Sequence, residues 1–320
     1  MASNNKVDIG FLEEKESWLL HPKFFPSKVG GKPAWLNLRD LPSPSELNCK
    51  KCDEPLVFLS QIYAPYEESD EAFHRTIFLF ICRNGSCYQT NSSDNFKVLR
   101  CQLPRKNDFY SFEPYEEIEN EDFPMDQWPH LCNLCGCKGP SHCSKCKKTY
   151  YCSRKHQILE LAKEGHKVKL TDQKNVKLNE EMEKLQKLMQ EKKAGTLSNV
   201  SEDELEQYTK DMPEDKVFNK FSKRVARHPD QVLRYDRGGH PLWITGNSGN
   251  SIVDVPKCQY CNGERQFEFQ IMPQLLNFIG VGIEVNSIDW GVLVVYTCKS
   301  SCSEGPAYKE EIIIKQDLSS

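Results

Sequence analysis

Gly30-Gly31-Lys32-Pro33-Ala34-Trp35-Leu36 and Gly238-Gly239-His240-Pro241-Leu242-Trp243-Ile244 share the pattern GGxPxW followed by an aliphatic residue. Working outward from these two stretches shows a duplicated chain. Cys49-x2-Cys52 begins 14 residues after Trp35, and Cys258-x2-Cys261 begins 15 residues after Trp243. Gln61-Ile62 then falls nine residues after Cys52, and Gln270-Ile271 nine after Cys261, each closing an alternating apolar run and followed by a proline. A β-type run at 76–81 enters Cys82-x4-Cys87, and its counterpart at 292–297 enters Cys298-x3-Cys302.

Each half is short alone, so two copies of one strand set are expected to pack together. The expected fold is mainly β: two repeated β-rich zinc-knuckle halves forming one pseudo-symmetric core, with a zinc finger and a helix inserted. The alternative is two separate small β-domains. The chain divides into an N-terminal half (1–110), an acidic linker (111–127), the finger (128–170), an amphipathic helix with an acidic linker (171–215) and a C-terminal half (216–320). Seven carboxylates lie between Glu113 and Asp126, where Pro114 and Pro124 disfavour a helix. Leu178, Met182, Leu185 and Met189 recur at helical spacing, which predicts a helix over 171–193, and the polar stretch 197–215 follows it.

The chain has 320 residues, 38% hydrophobic and 28% charged, with a formal charge of -4, a pI near 6.1 and a mean hydropathy of -0.64. Nothing global draws it to nucleic acid or to an anionic membrane. Residues 1–17 lack an apolar signal region and the most apolar run, 292–296, is too short to span a bilayer. Secretion and membrane insertion are therefore not expected, and the reading places the protein in cytoplasm and nucleus. In a reducing compartment, 15 clustered cysteines read as metal ligands rather than disulfides.

The central string Cys132-x2-Cys135-x7-Cys143-x2-Cys146-x5-Cys152-x3-His156-x9-His166 gathers seven zinc-type ligands. Each C-x2-C pair aims two thiolates at one Zn²⁺, and two sites are expected. A stretch this small depends on metal for its folding. The outer quartets, Cys49, Cys52, Cys82, Cys87 and Cys258, Cys261, Cys298, Cys302, are each expected to hold one structural Zn²⁺. The alternative is that they are buried core thiols. Trp35 and Trp243 are read as core packing residues. No triad, phosphate loop or dinucleotide fingerprint is visible, so a binding protein is expected rather than an enzyme.

Tyr151-Cys152-Ser153-Arg154-Lys155-His156-Gln157, followed by Gly165-His166-Lys167, resembles the second half of a MYND finger. The resemblance implies a cross-braced module, with Cys132, Cys135, Cys152 and His156 on one zinc and Cys143, Cys146 and His166 on the other. The family's usual eighth ligand position holds Leu170. Cys137, His142 or a water could complete that site, and Cys101 and Cys137 are otherwise unassigned.

Val98-Leu99-Arg100-Cys101-Gln102-Leu103-Pro104-Arg105 with Phe109-Tyr110, the GGxPxW motif, and Phe218-x2-Phe221-x2-Arg224 followed by Pro229-x-Gln231-Val232-Leu233-Arg234-Tyr235 resemble the programmed cell death protein 2 family. That resemblance implies a role in small ribosomal subunit production: a chaperone capturing one newly made basic small-subunit ribosomal protein. Two other readings are a MYND corepressor adaptor that engages proline-containing peptides and an RNA-processing factor. Direct nucleic-acid binding is not expected despite the finger's many lysines. On the chaperone reading, the finger is an insert whose deletion leaves client capture by the β-halves largely intact.

Overall fold

The computed structural model describes residues 7–119, 129–163, 216–246, 254–279 and 287–318. The predicted helix at 171–193, the acidic stretch 197–215, His166 and Leu170 lie outside the described residues. The chain divides into two units, one of residues 1–156 with 216–320 and one of residues 157–215.

In the first unit, eleven strands are described: β1 (Asp8–Gly10), β2 (Lys28–Val29), β3 (Val57–Tyr63), β4 (His74–Ile81), β5 (Phe96–Leu103), β6 (Ser141–His142), β7 (Tyr150–Tyr151), β8 (Leu233–Tyr235), β9 (Arg265–Ile271), β10 (Val292–Cys298) and β11 (Tyr308–Gln316). Nine of them form one curled sheet in the order β1-β8-β9-β10-β11-β5-β4-β3-β2, and β6 pairs with β7 in the finger. Helix α1 (Arg154–Lys163) starts within the finger and runs from the first unit into the second, and α2 (Lys216–Val225) precedes the second half. The sequence reading named the motif around Phe218 and Phe221 but not this helix. Among the described residues, no helix is long and apolar enough to cross a membrane.

The duplication is visible in the strand order. The arm β2-β3-β4-β5 mirrors β8-β9-β10-β11, and the two meet where β5 and β11 run antiparallel, with Cys101 opposite Tyr308 and Val98 opposite Glu311. The halves thus share one sheet, and the reading as two separate domains is set aside. Residues 8–10, assigned by sequence to the first half, instead add a strand to the edge of the second, pairing with 233–235.

Alternation along the central strands fills cores on both faces. Ile77, Leu79 and Ile81 of β4 join Phe269, Ile271, Leu293 and Val295 of the other half inside the curl. Phe78 and Phe80 point the other way, into a second core built on Trp35. Val292 and Val294 point outward in the second half, under Leu242, Ile244 and Phe221 of α2.

Both arms carry a β-bulge at the same repeat position. The β3–β4 register slips around Leu59, and the β9–β10 register slips around Glu268. A bulge frees one residue from strict alternation. In the first arm that residue is apolar core, and in the second it is a buried carboxylate.

The repeated glutamines explain the repeated GGxPxW loops. Gln61 Oε1 accepts from Ala34 N at 2.8 Å, and Gln270 Oε1 accepts from Leu242 N at 2.6 Å. Each side-chain amide also donates back to the carbonyl of the same loop residue. A side-chain amide offers both a donor and an acceptor, so one glutamine pins each buried loop like an extra strand residue.

Candidate metal centres

All four C-x2-C pairs fold into the same turn. The residue after the second cysteine takes positive φ in each: Asp53 at 56°, Asn262 at 57°, Gly136 at 71° and Lys147 at 57°. Its N–H donates to the carbonyl of the first cysteine, for example Asp53 N to Cys49 O at 2.9 Å and Lys147 N to Cys143 O at 2.8 Å. This curvature turns both thiols to one side, as zinc knuckles require.

Three of the turns meet a second pair of ligands. Cys49, Cys52, Cys82 and Cys87 converge, as do Cys258, Cys261, Cys298 and Cys302, and Cys132, Cys135, Cys152 and His156, with all ligand atoms in a group within 4.8 Å of one another. In the outer groups, β4 and β10 deliver the second pair at their C-terminal ends. In the finger, β7 leads into Cys152, and the first turn of α1 presents His156, whose backbone N–H donates to Ser153 Oγ at 3.2 Å.

Zinc fits these groups. Four thiolates about 2.3 Å from a tetrahedral Zn²⁺ stand about 3.8 Å apart. The Sγ–Sγ separations are 3.6 Å for Cys52–Cys82, 3.7 Å for Cys135–Cys152, 3.7 Å for Cys258–Cys302 and 3.6 Å for Cys261–Cys298. A disulfide needs about 2.05 Å, and all 15 cysteines are free thiols. The Cys/His donor set and its geometry are consistent with structural zinc, in closed four-ligand sites that leave no open position for a substrate.

Without a cation the thiols of one group oppose one another's ionisation. Burial pushes Cys87 up to about 11 and raises Cys82 further. Cys132 is held far below the usual thiol range by hydrogen bonds from Cys135 and Cys152, and those two neighbours are pushed far above it. A dication at the centre lets the whole set ionise together.

The predicted second finger site is described only in part. Cys143 and Cys146 form the knuckle, and the Thr149 hydroxyl with nearby backbone N–H groups holds Cys146 down to about 6. His166 lies outside the described residues. Cys137 forms no three-ligand group with this pair among the described residues: it is buried, and its carbonyl accepts from Cys132 N at 2.7 Å. It belongs to the frame of the first site. Cys101 is fully buried in β5, where burial pushes its thiol up to about 12, as befits an inert core residue.

Two residues to which the sequence reading gave no site role, Arg100 and Glu311, tie the sites to the fold. Arg100 of the first half donates to Glu311 at 2.7 Å and to the Cys302 carbonyl at 3.2 Å, with Nη2 3.8 Å from Cys302 Sγ. Glu311 in turn accepts from the backbone N–H of Cys298 at 3.1 Å. The second half's zinc ligands are therefore oriented by a strand of the first, as outer-shell partners commonly do.

The finger is likewise no detached insert. Trp35 is fully buried and donates its indole N–H to Gly136 O at 2.7 Å. A Cβ on Gly136 would stand 2.5 Å from Lys32 Cβ, so the knuckle sits directly on the GGxPxW loop. Removing 128–170, the deletion expected to spare client capture, therefore also uncovers a core tryptophan of the first half.

Comparison with known proteins places this architecture. Family models match the N-terminal domain of programmed cell death protein 2 over residues 6–117, its C-terminal domain over 215–317 and the MYND finger over 132–169. Programmed cell death protein 2 of Rattus norvegicus is 42% identical over 338 residues, covering 98% of this chain and 96% of its own. The chain belongs to the programmed cell death protein 2 family. Programmed cell death protein 2-like of Homo sapiens is 26% identical over 333 residues, with 91% and 90% covered. Probable 20S rRNA accumulation protein 4 of Schizosaccharomyces pombe is 33% identical over 110 residues, covering 31% of this chain and 26% of its own. No solved structure matches. The two programmed cell death protein 2 domain models fall on the two arms of the sheet, and the MYND model spans His166.

Proposed function

We propose that this protein is a zinc-held chaperone that captures a newly made, basic small-subunit ribosomal protein and supports small ribosomal subunit biogenesis. The name of the fission-yeast relative supports a connection with ribosomal RNA, and the MYND finger implies protein–protein interaction.

The observation that carries the client's chemistry is the segment after β5. Phe112 and Ile118 are 52% and 58% exposed there, interleaved with Glu113, Glu116, Glu117 and Glu119. Exposed apolar side chains among carboxylates suit a client that is basic and not yet buried in its assembly. The zinc sites hold the body rigid and the work needs no bond-making. Such a protein acts in cytoplasm and nucleus, where ribosomal proteins are made and assembled.

The test is affinity capture from cells with mass spectrometry, comparing wild type with a Phe112→Ser, Ile118→Ser, Glu116→Lys, Glu117→Lys variant. One basic small-subunit protein should dominate the wild-type capture and fall at least tenfold in the variant. Corepressors dominating instead would favour the adaptor reading.

A further inference from the structure

The two tryptophans of the repeat stand in different surroundings. Trp35 is buried beneath the finger with its indole N–H on Gly136 O. Trp243, read from sequence as another core residue, is only half-buried, and among the described residues its indole N–H has no hydrogen-bond partner. It lines a cavity of about 450 Å³ beside Pro241, Leu242 and Phe267.

Three cations, Lys220, Arg224 and Arg234, face this cavity against one carboxylate, Asp236. Lys220 and Arg224 are exposed on α2, and among the described residues neither is paired with a carboxylate. Burial and the neighbouring Arg224 charge both lower the pKa of Arg234. Like charges over a partly apolar floor form a site that an incoming anion stabilises.

We propose that this cavity binds an acidic peptide segment of a partner protein. A backbone carbonyl of the segment accepts from Trp243 Nε1, as Gly136 does from Trp35. Its carboxylates lie against Lys220, Arg224 and Arg234. The site is separate from the acidic segment at 111–119 and takes a partner of opposite charge to the client proposed above.

A random 12-residue peptide display library tests this on the full-length, zinc-loaded protein. A Lys220→Glu, Arg224→Glu variant and a Trp243→Phe variant are run in parallel. Sequences enriched on wild type alone should be acidic. A representative synthetic peptide should lose at least about tenfold in affinity with the charge-reversed variant and about threefold to tenfold with Trp243→Phe, at unchanged zinc content. Neutral or basic winners, winners shared with the charge-reversed variant, or no selective enrichment would overturn the proposal. So would enrichment only after removal of residues 1–6 or 247–253, since the chain itself would then be the occupant.

Discussion

Arg75 of β4 and Glu268 of β9 form a fully buried, two-pronged ion pair across the two halves of the sheet, Nη1–Oε1 at 2.7 Å and Nη2–Oε2 at 2.9 Å. Thr297 and Tyr235 also donate to the carboxylate, and Arg237 lies 3.5 Å away. Removing one partner of such a pair strands the other in the core. Arg75→Ala should therefore destabilise the fold by about 3–5 kcal/mol, read as a lower denaturant midpoint. The double variant Arg75→Leu, Glu268→Leu should regain part of that loss. Full additivity of the single variants would show that the two residues do not act as a pair.

The finger's seat on the first half makes a second prediction. Trp35→Phe keeps an aromatic six-membered ring but deletes the indole N–H, leaving the buried Gly136 carbonyl unsatisfied at a cost of about 1–3 kcal/mol, to which the lost ring volume adds. The same substitution at Trp243, which packs partly buried against the second-half core but holds no buried carbonyl, should cost less by about 1 kcal/mol. Equal losses in thermal denaturation would contradict the different roles assigned to the two repeat positions.

Zinc should be countable. Native mass spectrometry is expected to find three tightly held zinc ions per chain, one in each complete group. A further ion on the Cys143–Cys146 knuckle should leave first when chelator is added. Cys258→Ser should remove one tight ion and Cys143→Ser none of the three. Loss of a tight ion in Cys143→Ser would show that this knuckle belongs to a closed site.

His74 supplies a pH dependence. Burial, with help from the Arg105 charge, lowers its pKa to about 4, and the ring lies 4.2 Å from Phe25 with Nδ1 3.0 Å from Tyr63 Oη. The unfolded imidazole titrates at about 6.5, so the unfolded state binds more protons between the two values. Stability is therefore complete above about pH 6.5 and declines as pH falls toward 4. His74→Phe should flatten that decline in denaturant titrations at pH 7 and pH 5. Metal release affects both proteins alike, so parallel curves would remove His74 from the explanation.

The knuckles and the duplication were legible in sequence because a C-x2-C turn and a GGxPxW loop are local devices whose spacing survives in the residue string. Gln61 and Gln270 were visible as a repeat, though not as loop pins. Glu268 was not legible: a bulge breaks alternation, and its partner Arg75 lies 193 positions away. The Trp35–Gly136 bond spans 101 positions, which is why the finger read as an insert with no tie to the core of the first half. The wiring of Cys298 and Cys302 through Glu311 and Arg100 depends on how β5 meets β11, and nothing in either strand's own pattern specifies that meeting.

The most direct test of the chaperone reading is capture after a short isotope pulse. Cells receive labelled amino acids for a few minutes, the protein is isolated, and the age of each associated protein is read by mass spectrometry. One basic small-subunit ribosomal protein should be enriched and almost wholly pulse-labelled, as befits a client held before assembly. An even set of old small-subunit proteins, or corepressors in place of a ribosomal protein, would contradict it.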